Sequence, residues 1–139
     1  MGRRDGELKA IYDRIGSQFD LETYELGHRL FPENLRVLDS LVTTYSTAGL
    51  YRRSLDAARL LTVKRPGNSR YRYNLACSLC CLGELDDALE ALERAVGLGF
   101  DDFEYLTDDP DLAALRSRPE FQVYQRRAKE QRAGRVAEK

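Results

Sequence analysis

Single residues of this chain recur at one fixed distance. Pro32 and Pro66 stand 34 positions apart, and so do Leu41 and Leu75, Gly49 and Gly83, Leu55 and Leu89, and Ala57 and Ala91. Agreement at one period without insertions marks a repeat, and a repeat of this length is one supersecondary unit that buries its apolar face only by stacking on a neighbour. Each unit holds two helical patterns. In the first, Leu38, Leu41, Val42 and Tyr45 recur at helical spacing until Gly49, and Tyr51, Leu55, Ala58 and Leu61 make a second stripe that Pro66 closes. In the second, Leu75, Ala76, Leu79 and Leu82 precede Gly83, and Leu85, Ala88, Leu89, Leu92, Ala95 and Val96 follow it. Each segment has an ordinary helix length, with glycine permitting the tight turn inside a pair and proline marking the end of a pair.

The pattern resembles the tetratricopeptide repeat (TPR) family. The residues that carry the resemblance are Leu38, Leu41-Val42, Tyr45, Ser54, Ala58 and Pro66, then Arg72, Leu75-Ala76, Leu79, Ala88, Leu92 and Ala95. The departures are Ser54 and Ala58 in the first unit, Arg72 where a large apolar residue is usual, and Phe100 where the proline would fall. Upstream, residues 17–32 keep Tyr24, Gly27 and Pro32, and Leu8, Ile11, Tyr12 and Ile15 form an amphipathic stripe about one residue out of register. Residues 99–121 resemble the cap that closes many bacterial TPR arrays. Asp101 or Asp102 is placed to cap a short helix, Asp109-Pro110 to start another, and Pro119 to begin a last helix carrying Phe121 and Tyr124.

The resemblance implies an all-α fold, a right-handed solenoid of antiparallel helix pairs with about three TPR units, plus capping helices. As one TPR-like domain over residues 1–139, it would comprise a degenerate repeat at 5–34, repeats at 35–68 and 69–99, capping helices at 100–132 and a frayed tail at 133–139. Whether the last helix caps the array or folds into its groove stays open.

Composition fits that picture and excludes others. Apolar residues are 42% of 139, as in a folded domain, and 22 basic residues nearly balance 23 acidic ones. No apolar run approaches a membrane span, and the start has no secretion signal, so a cytoplasmic protein without membrane or nucleic-acid partners is expected. The charges are segregated. Residues 51–72 carry seven basic residues against Asp56, and residues 84–111 carry eleven acidic ones against Arg94. Neighbouring helices that attract each other, with a solvated basic tail after residue 124, account for this pattern. The acidic stretch argues against phosphate binding by Arg52, Arg53, Arg59, Lys64 and Arg65.

The three cysteines, Cys77, Cys80 and Cys81, lie in NLACSLCCLG, residues 74–83. One helix offers them all, there is no second pair, and the lone His28 is more than a unit away, so neither zinc nor any other metal or cofactor is expected. Cys77 is mid-helix rather than at a helix start, which argues against a redox pair. No nucleophile, base and orienting group occur together, so the chain is not expected to be an enzyme.

The first helices of TPR units line a concave groove. The resemblance therefore assigns Arg36, Asp39, Thr43, Arg70, Tyr73, Asn74 and Cys77 as peptide-groove candidates. Asn74 stands where chaperone-binding members place a clamp asparagine, but Asp39, Ser40 and Thr43 replace the rest of that clamp. The implied function is binding of a peptide or partner helix to a protein scaffold. The alternative is a homo-oligomer assembled through repeat ends and charged faces.

Overall fold

The computed structural model describes residues 2–137, apart from the side chains of residues 2–5, 9, 12–14 and 17. These residues form α1 (Gly2–Leu30), α2 (Leu35–Thr47), α3 (Tyr51–Lys64), α4 (Ser69–Cys81), α5 (Leu85–Gly97), α6 (Phe103–Asp108), a 3₁₀ segment (Pro110–Leu115) and α7 (Pro119–Ala137). No strand occurs among them. The chain divides into two compact units, Met1–Ala57 and Ala58–Lys139, with the division inside α3.

Three connections repeat the same chemistry. Pro32-Glu33 and Pro66-Gly67 form turns, and the next residue but one after each proline, Asn34 or Asn68, caps the following helix through its side chain. Asn34 Oδ1 accepts from the amides of Arg36 and Val37, and Asn68 Oδ1 accepts from Tyr71 N. Asp102, a further 34 residues on, caps α6 by accepting from Tyr105 N. The helix ends repeat too. Leu50 N donates to Tyr45 O, Glu84 N to Leu79 O and Phe100 N to Ala95 O, each beside a glycine at positive φ (Gly49, Gly83 and Gly99). This is the Schellman closure, which satisfies carbonyls that a helix end leaves open.

In the first unit, α1 is one helix of 29 residues rather than the degenerate pair that the repeat suggests. Gly16 alone does not break it, because no proline and no positive-φ residue accompanies it. At about 1.5 Å per residue α1 is about 43 Å long and α2 about 20 Å, so α2 covers only part of it. The contact is close at Gly27, where a Cβ would come within 3.3 Å of a Val37 methyl. Leu38, Leu41 and Val42 of α2 are buried. Ser54, a departure from the repeat, is fully buried and its hydroxyl donates to Val42 O at 3.0 Å, which satisfies it.

In the second unit α4 packs against α5 and the 3₁₀ segment, while α7 packs against α5 and α6. Leu106, Leu112, Leu115, Phe121 and Ala128 of the C-terminal segment are buried along with Ala88, Leu92, Ala95 and Val96 of α5. Gln131 Nε2 reaches Val96 O at 2.9 Å, so α7 covers α5 and its helix continues to Ala137, beyond the expected stop at residue 132. It is the 3₁₀ segment, not the last helix, that lies on α4. The acidic stretch meets arginines of the C-terminal segment: Arg118 pairs with Asp86, Arg132 with Glu104 and Arg135 with Asp101. Arg59 and Arg72 share a cleft of about 170 Å³ with Asp87 and Glu90, which gives Arg72 a polar place in the repeat.

Candidate functional site

Two stripes hold the expected groove residues, one in each unit. On α2, Arg36 and Thr43 are exposed and Asp39 is half-buried, beside the buried stripe of Leu38, Leu41 and Val42. On α4, Arg70 is exposed and Asn74 half-buried. Arg70 lies over the Tyr71 ring, 5.6 Å from its centroid.

Tyr73 and Cys77 differ from the open groove positions that the sequence suggests. They are 6% and 8% exposed. Phe100 stacks on the Tyr73 ring at 4.4 Å between centroids and 6° between planes, and Tyr105 packs on it at a tilt. The Tyr73 hydroxyl donates to Asp109 Oδ2 at 2.5 Å, and the Cys77 thiol lies 3.7 Å from the same oxygen. The physical reason is local. Phe100 replaces the repeat's proline, its ring has apolar surface to bury, and the chain that follows returns Asp109 to α4.

Asp109 is held from several sides. Its Oδ1 accepts from Asp111 N at 3.0 Å, which starts the 3₁₀ segment, and its backbone carbonyl accepts from the Arg116 guanidinium. Asp111 is half-buried, as is Cys81, one turn beyond Cys77. Cys77 Sγ and one carboxylate oxygen each of Asp109 and Asp111 lie within 4.8 Å of one another. These are ligand atoms for a metal ion, contributed by two elements rather than the single helix visible in the cysteine spacing.

Burial and neighbouring acids push these groups in one direction. Burial, then the Asp109 charge, raises the Cys77 thiol well above its ordinary value. Burial and Asp111 push Cys81 up to about 12. Burial, and then the Asp109 charge, raises Asp111. Burial chiefly raises Tyr73, with Cys77 and Asp109 adding to it. All four therefore favour their protonated forms more than they would in water. A thiol held protonated is a poor nucleophile, so this cluster does not activate its cysteines.

Sequence reading missed Asp109 as a partner of α4 and assigned it only a helix start. The signal that exists is the pair of acids flanking Pro110, two carboxylates on one rigid turn. Nothing in the sequence alone says that this turn folds onto Cys77 and Cys81.

No protein-family profile matches the chain. Among curated proteins, a chloroplastic protein of Arabidopsis thaliana is 32% identical over 80 residues, which is 55% of this chain and 24% of that protein, so the match spans about a quarter of the relative. Among solved structures, a double mutant of MamA RS-1 superposes with a TM-score of 0.69 at 14% identity, over 92% of this chain and 72% of that one. MamA MSR-1 gives a TM-score of 0.66 at 21% identity, over 89% and 72%. At these identities the likeness speaks for the fold, which is all-α and of the TPR type, a helical solenoid.

Proposed function

We propose that the protein is a non-enzymatic protein-binding module that receives a peptide or partner helix on the polar stripes of its repeat helices. The observation that carries this reading is the α2 stripe. Arg36 and Thr43 are exposed and Asp39 is half-buried, immediately beside residues that are packed away. Such a stripe supplies donors and an acceptor at helical spacing for a backbone or a charged side chain. Arg70 and Asn74 are the corresponding polar candidates on α4. Tyr73 and Cys77 serve there as packing under the cap, which is the bacterial-type array cap in this reading. The test is affinity capture from the source lysate with wild type, Arg36→Glu/Thr43→Arg, and Arg70→Ala/Asn74→Ala, each checked for unchanged helicity. Loss of the same partner from the α2 variant supports the placement. An unchanged set of captured proteins from both variants rejects it.

Self-assembly is a second reading, favoured by a different observation. Leu8, Ile11, Ile15 and Phe19 of α1 are 55%, 47%, 62% and 67% exposed at spacings of three and four. They form an exposed apolar stripe on α1, and such a stripe on a helix face is what a second helix covers.

A further inference from the structure

We propose that Cys77, Cys81, Asp109 and Asp111 form a site for one divalent cation of the zinc class, which fastens the C-terminal cap to α4. The ligand count and chemistry suit such an ion. Two sulfurs come from one face of a helix, four residues apart, and two carboxylates come from the ends of a single Asp-Pro-Asp turn. Structural zinc takes four ligands in a tetrahedron, with metal–sulfur bonds near 2.3 Å and metal–oxygen bonds near 2.0 Å, which puts a ligating sulfur and oxygen about 3.5 Å apart. Cys77 Sγ is 3.7 Å from Asp109 Oδ2, and one Asp111 oxygen stands within 4.8 Å of Cys77 Sγ and of an Asp109 carboxylate oxygen. Cys81 follows Cys77 by one helical turn, toward the same turn of the C-terminal segment. Three of the four ligand atoms therefore lie close together before an ion arrives, and Cys81, on the same helix face as Cys77, supplies the fourth.

The surroundings supply what a metal site needs beyond its ligands. Tyr73 donates its hydroxyl to Asp109 Oδ2, and the Asp111 amide donates to Oδ1, so this carboxylate is oriented by outer partners. Arg116, bound to the Asp109 carbonyl, places a positive charge beside a ligand set that is more negative than one divalent ion can neutralise. An acidic surface cleft of about 470 Å³, lined by Asp102, Glu104, Tyr105, Asp108 and Asp109, opens at Asp109, one of the four ligands. The sulfurs select the metal. Magnesium and calcium take oxygen ligands at six or more positions, whereas thiolates favour zinc and its tetrahedral analogues. Coordination displaces the two thiol protons to solvent. This inference does not depend on which partner the repeats bind, and its test involves none.

The test is spectroscopic. The whole chain, freed of metal with EDTA, is titrated with Co²⁺, then with Zn²⁺. The expected result is one equivalent of Co²⁺ giving the intense visible bands of a tetrahedral thiolate site, bleached by one equivalent of Zn²⁺. Cys77→Ser should lower Zn²⁺ affinity more than about a hundredfold, since even outer partners of a ligand carry roughly ten- to a hundredfold. Cys80→Ser should leave the spectrum unchanged, because Cys80 is buried and is not one of the ligand group. If Cys77→Ser fails to fold, Asp111→Asn, at a half-buried position, should still reduce the affinity more than about tenfold. Wild type that shows no thiolate band, only the pale spectrum of octahedral cobalt, overturns the proposal. So does a band that survives both Cys77→Ser and Asp111→Asn.

Discussion

Tyr73 shows how one position carries two meanings. Helical spacing puts it on a polar stripe with Arg70 and Asn74, and that placement on α4 holds. What spacing leaves out is the company it keeps, since Phe100 and Asp109 come from 27 and 36 residues further along the chain. The departure of Phe100 from the repeat was visible, and it is where the structure diverges from a plain array: a ring stands where a proline would have ended the unit. Asp111 gives the pH-dependent consequence. Its carboxyl is raised by burial and by the Asp109 charge. An acid whose folded-state pKa exceeds its unfolded value contributes fully below the unfolded value, about 3.9, and that contribution is lost as pH rises through the folded value. Asp111→Asn has no such loss. In EDTA, the stability difference between variant and wild type should therefore shift in the variant's favour between pH 3.5 and pH 7, read as urea midpoints. A difference that stays constant with pH would show that Asp111 carries no penalty in the folded state.

At the scale of helices, boundaries were legible because they rest on local chemistry. The glycines that end α2, α4 and α5 have φ of +76°, +78° and +105°, and the repeat of Gly49 at Gly83 is plain in the sequence. The caps Asn34, Asn68 and Asp102 share the same 34-residue period, so they too were present in the sequence, though less conspicuous than the prolines before them. The merged helix α1 was not legible. Its break had to be inferred from an out-of-register stripe, and a lone Gly16 is too weak a breaker to stop a helix whose flanking residues propagate it. Two glycine substitutions separate turn geometry from simple flexibility. Nothing lies within 4 Å of a Cβ built on Gly83 or on Gly67, so neither substitution causes a clash. Gly83→Ala forces a side chain into the left-handed region and should cost about 1–2 kcal/mol. Gly67 is not among the positive-φ glycines, so Gly67→Ala should be neutral or stabilising by about 0.4–1 kcal/mol, through the unfolded chain. Chemical denaturation of the two variants side by side checks this, and equal losses would mean that the backbone at Gly83 is not what holds the turn.

Across the whole molecule, the segregation of charge was legible but its pairing was not. Attraction between the basic stretch at 51–72 and the acidic stretch at 84–111 was the expectation, whereas the acids at 86, 101 and 104 pair with Arg118, Arg135 and Arg132 of the C-terminal segment, the last two from the tail that was expected to be merely solvated. The solvent-facing pairs of Arg118 with Asp86 and Arg132 with Glu104 contribute at most about 1 kcal/mol each. The cap is therefore held mainly by buried Leu106, Leu112, Leu115 and Phe121, each contributing about 1.5–3 kcal/mol. The apolar stripe on α1 has no comparable cover. Four large apolar side chains on one face of a helix are what a second helix covers. A second copy is a suitable occupant on charge grounds. In the sequence, Arg3, Arg4, Lys9 and Arg14 outnumber the acids in the first half of α1, while Asp20, Glu22 and Glu25 outnumber Arg29 in the second half. An antiparallel α1 pair sets each half against its opposite and buries Leu8, Ile11, Ile15 and Phe19 at the seam. Sedimentation equilibrium should then give a mass that rises with concentration and falls as salt weakens the pairing. Ile15→Asp/Phe19→Asp puts two charges into that seam and should return the protein to one chain at all concentrations, with helicity intact because both side chains are exposed in the single chain. A wild-type mass fixed at one chain would leave the stripe to a different protein and make α1, alongside the polar face of α2, the first place to look for it.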